Sequence, residues 1–131
     1  LARTLTGGER QQAMCGVLPI DIEMRERPQG RGYMQLHETG LAPWGRVVEA
    51  GTMLPAHEFH YSCIASASQA QVRFAYQVAR GFGADGQHDG IVSGNVFAAY
   101  AHLRNTRSSP WIDAFVGWMR RTTSNLEACD V

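Results

Sequence analysis

Apolar and polar residues alternate along much of this chain, and the alternation predicts extended strands. Residues 15–24 alternate with a period of two, with Leu18, Ile20, Ile22 and Met24 on one side, as expected for a half-buried extended segment. The same period runs from Val72 to Val78, and residues 31–38 and 45–54 are further short extended pieces between glycine and proline breaks. Together these segments predict a meander of antiparallel strands.

Helical structure is predicted in three places. Residues 1–6 have a helical composition and stop at two glycines, which favour a left-handed helix cap. Residues 91–102 are an apolar run that predicts a buried strand bending into a helix. Residues 109–124 predict the clearest helix, with Ser109 as its cap and Pro110 at its first position. The packing face of this last helix is predicted to comprise Trp111, Phe115, Trp118 and Met119.

Composition limits the classes of partner. The chain has 131 residues, 44% of them hydrophobic, which is enough for a single domain with its own core. Its 12 basic and 12 acidic residues cancel, so no net field favours nucleic acid or an anionic membrane. Every basic residue is an arginine, which excludes a lysine Schiff base and a P-loop lysine within these residues.

The cysteines indicate a reducing environment. Cys15, Cys63 and Cys129 are odd in number and widely spaced, so neither a disulfide framework nor a zinc knuckle is predicted. With no leader of signal-peptide type and no apolar run of membrane-spanning length, we expect a cytoplasmic protein. The chain begins at Leu1 without an initiator methionine, so we expect a truncated sequence.

Two short motifs invite chemical interpretations that their context disfavours. Residues 81–86, GFGADG, satisfy the glycine spacing of a dinucleotide-binding loop, but no helix is predicted after them, so a hairpin loop is favoured. In HEFH, His57 and His60 are three residues apart rather than four, and no further ligand has a usual spacing, so no metal site is predicted. Strand alternation instead places His57, Phe59 and Tyr61 on one face and Glu58, His60 and Ser62 on the other.

A candidate catalytic residue is His102, which ends an apolar run and precedes a polar loop. The end of a buried strand is where open α/β sheets place functional groups. The nucleophile that such a histidine would activate is not evident, because each cysteine is more simply explained as an inert residue.

Three stretches carry a resemblance: residues 16–36, the HEFHYS motif at residues 57–62, and residues 89–103, which contain GNVFAAYAHL. In this order and spacing they resemble the C-terminal half of the glutamine amidotransferase domain in the cobyrinic acid a,c-diamide synthase family. The resemblance implies an α/β fold, a flavodoxin-like class I glutamine amidotransferase domain with a mixed sheet and flanking helices. Residues 1–131 would be the C-terminal portion of that domain.

The resemblance also implies roles. His102 matches the family histidine that raises the nucleophilicity of a cysteine, and that cysteine attacks the side-chain amide of glutamine. By analogy, Tyr61 and Ser62, with His60 beside them, are candidate substrate-binding residues near the C-terminal edge of a parallel sheet. The released ammonia serves a synthetase domain that uses ATP and magnesium to amidate a tetrapyrrole carboxylate; we expect no cofactor in residues 1–131.

Two departures from the family pattern matter. The cysteine elbow of the family would lie upstream of Leu1, so we expect these 131 residues alone to be inactive. Arg104 stands where the family commonly has a second histidine. An amidase for sirohaem or another tetrapyrrole, and a non-catalytic module that binds tetrapyrrole or a partner, therefore remain alternatives, as does self-association.

Overall fold

The computed structural model describes residues 1–67 and 72–127, which form ten strands and one helix. The elements are β1 Thr4–Gly7, β2 Arg10–Ala13, β3 Ile20–Met24, β4 Gly30–Glu38, β5 Met53–His60, β6 Ser62–Ala67, β7 Arg73–Arg80, β8 His88–Ser93, β9 Val96–Ala98, β10 His102–Leu103 and α1 Trp111–Glu127. Within these residues, no helix combines the length and the apolar character needed to span a bilayer.

A four-stranded sheet has the order β2-β1-β3-β6. The pair β1–β3 is parallel, whereas β1–β2 and β3–β6 are antiparallel, so this sheet is mixed. Of the extended segment predicted at residues 15–24, Ile20–Met24 form β3, and the preceding residues belong to no strand. The helix predicted for residues 1–6 is wrong: Thr4 and Thr6 are β-branched, and pairing on both sides of β1 satisfies its backbone groups better than one helical turn would.

A six-stranded sheet has the order β10-β5-β4-β7-β8-β9, and its paired strands are antiparallel. The strands predicted at residues 31–38 and 72–78 are confirmed as β4 and β7. Of the extended piece predicted at residues 45–54, only Met53 and Leu54 enter a strand. The rest is a loop, because the buried Glu38 carboxylate accepts the backbone N–H groups that a neighbouring strand would otherwise use.

The predicted bend into a helix at residues 91–102 is also wrong, since this stretch continues as short strands. β9 and β10 lie at opposite edges of the six-stranded sheet, yet only residues 99–101 join them. Adjacent strands are about 4.8 Å apart, so the edges of a flat sheet of this order would be about 24 Å apart. The steps from Ala98 to His102 span at most about 14 Å. The sheet therefore curls until its two edges approach each other, helped by an irregularity in β4 between Gln35 and Leu36.

The helix α1 closes one side of the curled sheet. Trp111, Phe115 and Trp118 pack against the core as predicted, and all three rings contact Trp44, which lies in the loop between β4 and β5. Met119 differs from its prediction, since it is 46% exposed.

The N-terminus of the helix also differs in its cap. The N–H of Ile112 donates to the Asn105 side-chain oxygen at 3.1 Å, so the preceding loop supplies the cap. The N–H of Ser109, by contrast, pairs with Thr106, which places Ser109 in a turn before the helix.

Candidate active site

Strand β5 separates two environments. Its residues alternate between exposed and buried from Met53 to His60, which confirms the predicted faces of the HEFH motif. Glu58 and His60 point into the protein, while His57 and Phe59 lie on the outer surface. The polar residues of this one motif therefore belong partly to the protein interior and partly to the outer surface.

On the inner face, Glu58 binds the loop between β7 and β8. Its carboxylate accepts the N–H groups of Phe82 and Gly83, each at 2.8 Å, and lies 3.3 Å from Nε2 of His60. A Cβ atom on Gly81 would come within 2.6 Å of Oε1 of Glu58, so only glycine fits there. The hairpin-loop prediction for residues 81–86 is thus confirmed, and the N–H groups that a dinucleotide phosphate would need are taken by Glu58.

His60 connects this carboxylate to the start of β6. Its Nδ1 lies 2.8 Å from the Ser62 carbonyl oxygen, which can only accept, so Nδ1 carries a proton. The Tyr100 ring stacks on the His60 ring with centroids 4.0 Å apart, and the Tyr100 hydroxyl is 2.6 Å from Oγ of Ser62. The network joins the β5–β6 corner to the segment between β9 and β10. Burial is the main cause that raises the pKa of Tyr100.

Asp89 fixes the same segment from the other side. Its side chain is fully buried in β8, and its two oxygens accept the N–H groups of Tyr100 at 3.1 Å and Ala101 at 2.7 Å. Burial raises the pKa of Asp89, although hydrogen bonds from backbone N–H groups oppose the shift. The residues just before His102 are therefore held at both their backbone and a side chain.

His102 lies on the outer face. It pairs with His57 across the β10–β5 ladder, and the two imidazole centroids are 5.8 Å apart. Tyr33, opposite His57 on β4, makes an edge contact with the same ring at 6.1 Å. These side chains border an open groove of about 640 Å³, whose lining also includes Arg104, Thr106 and Ser108.

The structure divides the candidate residues between the two faces. His60 and Ser62 meet in the buried network, whereas His102 lies in the groove on the opposite face of β5. Tyr61 is 38% exposed and packs its ring against Phe59, 5.8 Å away.

The expectation that these residues lie at the C-terminal edge of a parallel sheet is wrong for the described residues. β5 is paired antiparallel with both β4 and β10, and the crossing of residues 99–101 between the two edges of the curled sheet brings His102 beside His57.

Sequence reasoning missed Asp89, Glu58 and Tyr100 as organisers of the site. The signal for Asp89 was its position at the start of a strongly apolar run, where an unpaired carboxylate would be costly. Glu58 and Tyr100 carry no comparable signal, because their partners are distant in sequence.

Neither of the two cysteines that the structure describes borders the groove. Cys15 is exposed and precedes β3, while Cys63 is buried in β6; Cys129 lies outside the described residues. In the part of the chain that the structure describes, no three His, Cys, Asp or Glu side chains form a group that could hold a metal ion.

Comparison with known proteins identifies the family. A CobB/CobQ-like glutamine amidotransferase domain matches residues 2–109. The chain is 46% identical over 109 residues to the cobyrinate a,c-diamide synthase of Magnetococcus marinus, a match that covers 83% of this chain and 22% of the relative. It is 39% identical over 117 residues to the synthase of the same name from Halobacterium salinarum, covering 88% of this chain and 25% of the relative.

The chain thus spans about a quarter or less of the length of these curated relatives. The match covers the residues that carry the resemblance, namely residues 16–36, 57–62 and 89–103. The chain therefore belongs to the family of CobB/CobQ-like glutamine amidotransferase domains.

Proposed function

We propose that these residues are the C-terminal portion of a glutamine amidotransferase domain that releases ammonia from glutamine. Within a longer synthase of the cobyrinate a,c-diamide type, the ammonia would amidate side-chain carboxylates of a corrinoid in cobalamin biosynthesis. The membership of the family supports this proposal, as do relatives of that name that are up to 46% identical to the chain. The flavodoxin-like arrangement of the complete domain is part of the proposal.

The observation that carries the proposal is the placement of His102. Its imidazole is exposed in an open groove, whereas His60 is buried beneath the same sheet. A general base must reach the proton that it removes, and an exposed ring beside a groove of about 640 Å³ satisfies this condition. We assign to His102 the removal of a proton from a cysteine thiol that attacks the glutamine amide.

The nucleophile is proposed to come from a segment outside residues 1–131. Among the groove-lining residues that the structure describes there is no cysteine, and both Cys15 and Cys63 lie elsewhere. We therefore propose that the 131-residue chain alone does not hydrolyse glutamine.

ATP and magnesium are proposed to bind a different part of the synthase. In the glycine-rich loop at residues 81–86, the N–H groups of Phe82 and Gly83 donate to Glu58, and those of Ala84 and Gly86 donate to backbone carbonyl oxygens, so the loop does not fit a phosphate. We also propose that His60, Tyr61 and Ser62 contact the substrate. Of these three residues, Tyr61 is the one on the outer face of the sheet.

The test measures ammonia release from glutamine by the full gene product that contains this chain. We expect His102→Ala to lower kcat by about 100-fold or more, since a positioned base contributes on that order. The matched control is His37→Ala, which removes a histidine near the C-terminal end of β4 and should retain activity.

Three outcomes would each contradict part of the proposal. Unchanged turnover in the His102→Ala variant would remove this residue from its role, and an inactive full gene product would favour a non-catalytic binding module. Ammonia release by the purified 131-residue chain would show that the nucleophile lies within it.

A further inference from the structure

The segment that carries His102 into the groove is unusually constrained. Residues 99–101 must pass from one edge of the curled sheet to the other, and they belong to no strand. Outside regular structure, their backbone N–H groups need other acceptors. Asp89 supplies these for two consecutive residues, Tyr100 and Ala101.

Two other buried carboxylates make the same kind of contact elsewhere. Glu38 accepts the N–H groups of Val47 and Val48 at 3.0 and 3.1 Å, and Glu58 accepts those of Phe82 and Gly83 at 2.8 Å each. Only the Asp89 contact, among these three, lies directly before a candidate catalytic residue. The side chain that binds the segment before His102, Asp89, therefore lies outside the groove.

We propose that Asp89 is a positioning residue for His102, an inference that rests on the proposed function. By accepting both N–H groups, the carboxylate sets the path of the chain into β10 and hence the place of the imidazole beside His57. The Tyr100 ring, stacked on His60, holds the same segment from the other side.

The role requires a carboxylate rather than a side chain of similar size. Both Asp89 oxygens face N–H donors, so in the Asp89→Asn variant one of the two acceptors would be replaced by an NH₂ group that meets a donor. Loss of one bond would release one N–H and let the segment shift. A displacement of about 1 Å at a catalytic group can lower the rate by about 100-fold.

The experiment compares Asp89→Asn with Glu38→Gln in the full gene product. Both variants convert a buried carboxylate into an amide, but Glu38 accepts both N–H groups through Oε2, and its Oε1 has no partner within the described residues. Glu38→Gln can therefore keep both bonds, and it controls for the change of charge alone, whereas Asp89→Asn must lose one bond. We expect kcat for glutamine hydrolysis to fall by about 10- to 100-fold in Asp89→Asn, with KM changed by less than about threefold. Glu38→Gln should keep kcat within about threefold of the parent.

Equal losses of kcat in the two variants, or no loss in Asp89→Asn, would overturn the inference. Amide hydrogen exchange provides a readout that does not need activity or a variant. In the unmodified 131-residue chain the amides of Tyr100 and Ala101 should be protected although they lie between strands, and rapid exchange at Ala101 would also overturn the inference.

The two proposals fail in different ways. If the full gene product has no glutaminase activity, the proposed function is wrong, and exchange at Tyr100 and Ala101 still decides whether Asp89 holds the segment. If the enzyme is active and His102→Ala abolishes turnover while Asp89→Asn does not, only the positioning role is wrong.

Discussion

At the scale of single residues, buried acidic side chains fix the backbone of segments for which the sequence predicts no regular structure. Glu38, Glu58 and Asp89 are buried, and each accepts two consecutive backbone N–H groups from a loop or connection. Such bonds offset the cost of taking a carboxylate out of water. In this chain, each of these three buried carboxylates therefore fixes the backbone of one loop or connection.

Asp21 shows the opposite case, a carboxylate whose pKa is lowered to about 2. The hydroxyl groups of Ser66 at 2.7 Å and Thr4 at 2.9 Å donate to it, and the Arg3 guanidinium lies beside it. Because the folded state holds the proton less tightly than the unfolded chain, Asp21 contributes stability above about pH 4. This contribution is lost as the pH falls towards 2.

We predict that Asp21→Asn makes unfolding less sensitive to pH in that interval. The measurement is the urea midpoint of the 131-residue chain at steps between about pH 4 and pH 2, the interval set by the two pKa values. Glu9→Gln, at an exposed turn, is the control and should keep the pH dependence of the parent. The same slope in Asp21→Asn and the parent would contradict the role of the network.

At the scale of elements, a close approach of β7 and β8 depends on one glycine. Gly90 has a φ of 68°, and a Cβ atom there would lie 2.7 Å from the Tyr76 ring and 3.0 Å from Ala75. Gly94, in the turn that follows β8, has a φ of 56° but no atom within 4 Å of such a Cβ. The two positions share a backbone conformation and differ in packing.

This pair separates strain from overpacking. We expect Gly94→Ala to cost about 1–2 kcal/mol, the penalty of a left-handed conformation for a residue with a Cβ. Gly90→Ala should cost about 1–3 kcal/mol more, because the rigid Tyr76 ring cannot yield easily. Urea unfolding gives both values, and equal losses would show that the sheet adjusts around Gly90.

At the scale of the whole molecule, Trp44 ties the helix to the curled sheet. Its ring contacts Phe97 of β9 at 4.8 Å and Phe115 of α1 at 5.5 Å. Its indole N–H is buried and, within the described residues, has no acceptor, so the ring contributes through packing alone. One loop residue thus contacts both the six-stranded sheet and the helix.

We predict that Trp44→Ala destabilises the chain by about 3 kcal/mol, the lower end of the range for such truncations, since the unpaired N–H is removed as well. Phe59→Ala is the control: this ring is 53% exposed on the outer face of β5, and its removal should cost less than about 1 kcal/mol. Thermal unfolding compares them, and similar losses would contradict the central place of Trp44.

The confirmed strands β3 and β7 were predicted from apolar residues at every second position, and β4 from a short extended piece between glycine and proline breaks. In β5 burial alternates from residue to residue, so the two faces of the HEFH motif could also be predicted locally. Residues 1–6 lacked this signal, since the conformation of β1 depends on pairing with β2 and β3. The bend predicted at residues 91–102 failed because the chain there crosses between sheet edges.

For the candidate site, the sequence and its family resemblance brought His102 and the HEFHYS motif to attention. They could not tell that His102 and His60 lie on opposite faces of β5, because that depends on which strand pairs with β5. Nor could they identify Asp89 as the acceptor for the residues before His102, since side chain and backbone meet only when the sheet curls.

By itself, then, the sequence determined the family, the strands with alternating apolar residues and the helix with its aromatic stripe. It also determined the two faces of the HEFH motif. Each of these features follows from short stretches of residues that are neighbours along the chain. Only the tertiary structure decided the order of the strands, the curl of the six-stranded sheet and the separation of the groove from the buried network. These features arise from contacts between distant segments, whose partners no local pattern specifies.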